Sequence, residues 1–148
     1  MRIRRTQGLK RLGPVAVAMV LAGCSITGSS ARSTTQDFFS AFSDGDGAKA
    51  CSLVAPDSRV QVLRAIAETP GQRAAAQQGS CRDFARGLGP QRRKLFGTVI
   101  ADPAPGSGGE TVTARFELDP KKPVVPYSVR LHKNGDWKIV SINSGGPP

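Results

Sequence analysis

The sequence has a single histidine, His132, and three cysteines, Cys24, Cys51 and Cys81, none in a Cys-x-x-Cys spacing. A structural zinc centre needs four nitrogen or sulfur ligands at short paired spacings, so no metal site is expected. Long apolar runs are missing too. The stretch Val15-Ala16-Val17-Ala18-Met19-Val20-Leu21-Ala22 is eight residues long, far short of the roughly 20 that span a bilayer as a helix. No two carboxylates are spaced on one expected face and no nucleophile has a base beside it, so no catalytic residue and no cofactor is expected. The formal charge is +10, but half of it lies in residues 1–23, where Arg2, Arg4, Arg5, Lys10 and Arg11 occur without any acid. From Cys24 onward 16 basic residues stand against 11 acidic ones. Without an aromatic-interleaved basic stripe or a recognition helix, that surface excludes nucleic acid as the expected partner.

What is present at the N-terminus is a basic segment, then the short apolar run after Pro14, then small residues, the order of a secretory signal. Leu21-Ala22-Gly23-Cys24 resembles the bacterial lipoprotein signal. That resemblance implies removal of residues 1–23, a diacylglyceryl thioether on Cys24 and membrane lipid as the partner held through it. Each buried methylene contributes about 0.8 kcal/mol and one chain alone is marginal, so two or three acyl chains anchor stably. The competing readings are a plain secretory signal with an incidental cysteine and a single uncleaved anchor. Arg4-Arg5 matches a twin-arginine signal only in part, which leaves the export route open. The expected location is the extracytoplasmic face of the cell membrane. Because Ser25 is not an acidic sorting residue, the outer membrane is expected where the organism has one.

Residues 24–34, rich in Ser, Thr and Gly, read as a flexible tether. Residues 35–143 read as one domain and residues 144–148 as a disordered tail. With Cys24 lipidated, Cys51 and Cys81 remain as an even pair in an exported chain, and a disulfide is expected between them. Helical signals fill the first half. Thr34 and Asp37 suggest a capping box ahead of Phe38, Phe39, Ala41 and Phe42, ending at Gly45. A short helix is expected over 48–54, and another, capped by Asp57 or Ser58, with Val60, Leu63, Ile66 and Ala67 on its inner face. Helix is open for 73–78, and a last helix begins at Ser80, contains Phe84 and Leu88 and closes at Gly89-Pro90. The second half alternates in strand fashion. Strands are expected over 95–101, over 111–118 with Val112, Ala114, Phe116 and Leu118 inward, over 124–133, and over 136–143 after the Asn134-Gly135 turn. The expected fold class is α+β, with N-terminal helices packed on a four-stranded antiparallel meander sheet.

Phe38-Phe39-Ser40-Ala41-Phe42-Ser43-Asp44-Gly45-Asp46, Ala50-Cys51-Ser52-Leu53-Val54-Ala55-Pro56, the later Cys81, and Asn134-Gly135-Asp136-Trp137-Lys138-Ile139-Val140 carry a second resemblance. In this order they resemble the nuclear transport factor 2-like (cystatin-like) superfamily, as found in small lipoproteins of high-GC, actinobacterial-type bacteria. The resemblance covers most of residues 35–143 and implies a cone-shaped sheet able to hold a pocket. Phe116, Tyr127, Val129, Leu131 and Trp137 are the residues expected to line an apolar concavity. Asp83, Tyr127 and His132 are the ionisable candidates for an isomerase-like site. Helix capping accounts for Asp83, a core-edge position for Tyr127 and an outward strand face for His132. Asp44-Gly45-Asp46-Gly47 lacks the remaining ligand positions of a calcium loop and reads as a helix–helix turn. Arg92-Arg93-Lys94 and Lys121-Lys122 read as solvated basic clusters, with anionic headgroups as the partner they would suit. The expected function is a membrane-anchored, non-enzymatic binding module for an envelope protein or a small apolar ligand. The alternatives are an isomerase-like enzyme and an accessory subunit of a membrane transport or signalling complex.

Overall fold

The computed structural model describes residues 30–145. The expected signal peptide, Cys24, most of the tether and residues 146–148 lie outside the described residues. The first helix, α1 (Ala31–Ser43), starts earlier than Thr34 and Asp37 suggest. Its capping box joins Ser30 to Ser33, each side chain serving the other's backbone N–H. Thr34 and Thr35 are buried on the inner face with Ala31 and Phe38, because the apolar positions continue at helical spacing one turn upstream. Helix α1, capped by Ser30, thus includes residues upstream of residue 35. At the other end Gly45 takes φ +77, and the N–H groups of Gly45 and Asp46 donate to the carbonyls of Phe42 and Ala41. This pairing closes a helix through a left-handed glycine. Asp46 then caps α2 (Gly47–Ser52) by accepting from the Lys49 N–H at 3.0 Å. The Asp44–Gly47 segment is thus a turn between two helices.

A 3₁₀ turn over Pro56–Ser58 leads into α3 (Arg59–Ile66), whose inner face is Val62, Leu63 and Ile66. Val60, expected inside, is 36% exposed. Helix α4 (Pro70–Gln77) has a capping box between Thr69 and Gln72, and in α5 (Cys81–Arg86) Ser80 accepts from the Asp83 N–H. The main departure from the sequence pattern comes next. Gly89-Pro90 opens a helix, α6 (Pro90–Gly97), instead of closing the helical half. Proline at the first helical position loses no hydrogen bond and already has a helical φ. The strand expected over 95–101 is thereby split, with Leu95 and Phe96 in α6 and the strand β1 confined to Val99–Pro103.

Strands β2 (Thr111–Phe116), β3 (Tyr127–Asn134) and β4 (Asp136–Ser144) complete an antiparallel sheet in the order β1-β2-β3-β4. The α+β class, helices first and a four-stranded meander after, is the observed architecture. Val112, Ala114 and Phe116 point inward, whereas Leu118 lies beyond the end of β2 and is 38% exposed. Arg130 pairs with Ser141 and Leu131 with Ile139, which makes Val140 the extra residue of a bulge. The bulge resets the alternation, so that Ile139 and Ile142, three apart, are both buried. The free edge of β4 is partly covered at Ile139, whose N–H and C=O bond Leu53 and Ala55.

All six phenylalanines and the single tyrosine meet in one connected cluster, with ring centroids 5.1 to 6.4 Å apart. Phe39 is its centre, touching Phe38, Phe96, Phe116 and Tyr127. Helix α1 is thus packed onto β1 and β2, and the sheet face that could have been hollow is filled with rings. A Cys51–Cys81 disulfide, Cα–Cα 5.7 Å, ties α2 to α5.

Candidate functional site

The inward face of the sheet holds Phe116, Tyr127, Val129 and Leu131, all in the closed core. Phe39 lies against Phe116 and Tyr127, occupying the volume an apolar ligand would need. Trp137 is half-buried at the margin, with the Lys133 ammonium 5.9 Å from its ring, and does not join the other four in a cavity. The expected concavity is filled because α1 brings Phe39 and α6 brings Phe96 against it, where the sheet pattern alone reads as an uncovered apolar face.

The ionisable candidates are dispersed. Asp83 is exposed on α5, 3.5 Å from Arg86. His132 is exposed in the distal half of β3. Tyr127 is at the opposite end of that strand, buried, and its hydroxyl accepts from Arg92 Nη2 at 2.8 Å. Its hydroxyl is therefore engaged inside the fold rather than presented at the surface. His132 lies five residue steps along the strand from Tyr127, about 17 Å, so the two cannot act on one small substrate. Elsewhere the Arg115 guanidinium is held above its usual pKa by the hydrogen bond and charge of Asp102, 2.8 Å away. That pair is an exposed tie between β1 and β2.

The two basic clusters do come together, in part. Arg93 turns inward, donating to the Ala85 carbonyl at 3.0 Å. Arg92, Lys94 and Lys122 instead line a surface groove of about 780 Å³ between the α3–α4 corner, α6 and the β2–β3 loop. Its floor is Arg92, only 11% exposed, whose guanidinium lies 4.7 Å from the Phe96 ring centre and 3.0 Å from Glu68 as well as bonding Tyr127. Leu95, Leu118 and Val124 form an apolar wall. Pattern reasoning misses this groove because it closes the helical half at Gly89-Pro90 and begins a strand at Leu95, which leaves Arg92 and Lys94 outside any element. The one available signal was Gly89-Pro90 read as a helix start.

No protein-family model, no curated protein and no solved structure matches this chain. Among the described residues no helix is long and apolar enough to cross a membrane.

Proposed function

We propose that this protein is a lipid-anchored envelope lipoprotein whose α+β domain is a non-enzymatic interaction module. The observation that carries the reading is Leu21-Ala22-Gly23-Cys24 immediately after an eight-residue apolar run and a basic start. The cysteine inventory supports it: Cys51 and Cys81 are joined, which leaves Cys24 as the third, and disulfides persist in oxidising compartments. The start of α1 adds a dimension. Five residues, Ser25–Ser29, separate the anchor at Cys24 from the helix cap at Ser30, a span of at most about 20 Å. The domain would be held close to the bilayer rather than on a long stalk. The dispersal of Asp83, Tyr127 and His132 supports an interaction role over chemistry on a bound substrate.

The test is fractionation of cells expressing the wild-type chain and Cys24→Ala, combined with labelling by a clickable fatty acid. The wild type should partition to membranes and carry label, and the variant should lose both. A wild-type chain that takes up no label, with a variant that stays in the membrane fraction, would refute the assignment.

A further inference from the structure

The α6 groove has the chemistry of a site for an amphiphile rather than for a purely apolar ligand. Lys94 and Lys122 come from separate walls, one on α6 and one in the β2–β3 loop, and neither ammonium has a carboxylate within 4.0 Å among the described residues. Of the two acids in the lining, Glu68 is held by Arg92, and Asp119 Oδ1 accepts the Lys121 N–H. With Arg92 set against Glu68, Lys94 and Lys122 outnumber the Asp119 carboxylate, and the lining carries a net positive charge. Gly89 and Gln91 also line the groove, at the start of α6, where no side chain caps the helix, so unpaired amides and the positive end of the helix add to the field. Below this rim run Leu95, Leu118 and Val124, and Leu118 is one of only three large apolar side chains exposed among the described residues. The volume is in the range of small-molecule sites. The floor does not need a ligand to hold its shape, since Arg92 is pinned from three directions by Tyr127, Glu68 and Phe96.

We propose that this groove binds a single-chain anionic amphiphile, a fatty carboxylate or an alkyl phosphate. Its head sits between Lys94 and Lys122 and its chain lies along Leu95, Leu118 and Val124. Charge complementarity selects the head and the apolar wall selects the tail. The proposal gives the interaction module a ligand class and rests on that reading for its biological setting, because a domain tethered within about 20 Å of a bilayer meets such molecules at high local concentration.

The experiment is photolabelling of the full-length chain in membranes with a diazirine-bearing dodecanoate, followed by peptide mapping. Label should fall on the peptides carrying Leu95, Leu118 or Val124, and excess dodecanoate should compete while dodecanol should not. Lys94→Glu with Lys122→Glu should reduce labelling at least tenfold, as should Leu118→Asp, a change at an exposed position that leaves the core untouched. The milder Lys94→Gln with Lys122→Gln should give an intermediate loss, with melting curves confirming that each variant is folded. Labelling that dodecanol competes equally well, or that survives both charge reversals, would mean non-specific partitioning and would overturn the proposal. Repeating the labelling on the Cys24→Ala chain separates the two readings: groove labelling should persist there, whereas loss of the covalent anchor alone bears on the lipoprotein assignment.

Discussion

Replacing Gly47 by alanine should reverse the sign that helix propensity dictates. Gly47 opens α2, and alanine in place of a helical glycine ordinarily stabilises by up to about 1 kcal/mol. Here a Cβ on residue 47 would lie 2.3 Å from the Cys81 carbonyl oxygen, 2.6 Å from its carbon and 2.7 Å from Arg82 Cα. These are backbone atoms of α5, which cannot rotate aside as a side-chain tip would. The helices would have to separate, yet the Cys51–Cys81 disulfide joins them one turn further on. Forcing extra volume into such a contact typically costs 1–3 kcal/mol, which set against that gain leaves a net loss of about 1–2 kcal/mol, or roughly 3–12 °C in Tm for a domain of this size. The control is Gly71→Ala in α4, where nothing lies within 4 Å of the added Cβ and the outcome should be neutral to slightly stabilising. Thermal melts followed by circular dichroism, with urea titration to check the m-value, decide it. A Gly47→Ala protein that melts at or above the wild type would refute the close-contact argument. Reducing the disulfide should shrink the penalty, because α2 could then slide away from α5.

Reduction of the disulfide itself should lower stability by about 4 kcal/mol, the chain-entropy value for a loop of this length, given a separation of 30 residues. Calorimetry with and without reductant measures it, and non-reducing peptide mapping should recover the two cysteine peptides joined. Phe39→Ala should cost about 3–5 kcal/mol, as expected for removing a fully buried ring that contacts four others. Denaturant unfolding reads the loss, and a change below about 1 kcal/mol would show that the sheet face is not packed as described. Tyr127→Phe should cost about 1–2 kcal/mol by leaving a largely buried Arg92 donor without its acceptor. A neutral result in the same unfolding assay would place the Arg92–Tyr127 bond in solvent.

Much of the architecture was legible in the chain because it depends on local pattern. Val112, Ala114 and Phe116 alternate, Tyr127, Val129 and Leu131 alternate, and Asn134-Gly135 sits between strands that pair as a hairpin. Such periodicity follows from strand geometry alone. The limits of α1 and the existence of α6 were harder to read. Thr34 and Thr35 are polar by composition but buried by position, and Leu95 and Phe96 belong to a short apolar run that suits a helix or a strand equally well. For α6 the choice was made by packing, since Phe96 completes the aromatic cluster from a helix.

By itself the sequence determined that a helical half precedes a four-strand meander and that the N-terminus runs from basic to apolar to small residues, and it pointed to the Cys51–Cys81 pair. Only the tertiary structure decided that the sheet face is solid, that Tyr127 is tied to Arg92, and that Arg92, Lys94 and Lys122 share one groove. The division has a physical cause. Hydrophobic period, capping and turn chemistry act over a few residues and are written in adjacent positions. Whether an apolar face is covered or hollow depends on which distant side chains fill it, and residues 39 and 116 meet only when helix and sheet dock.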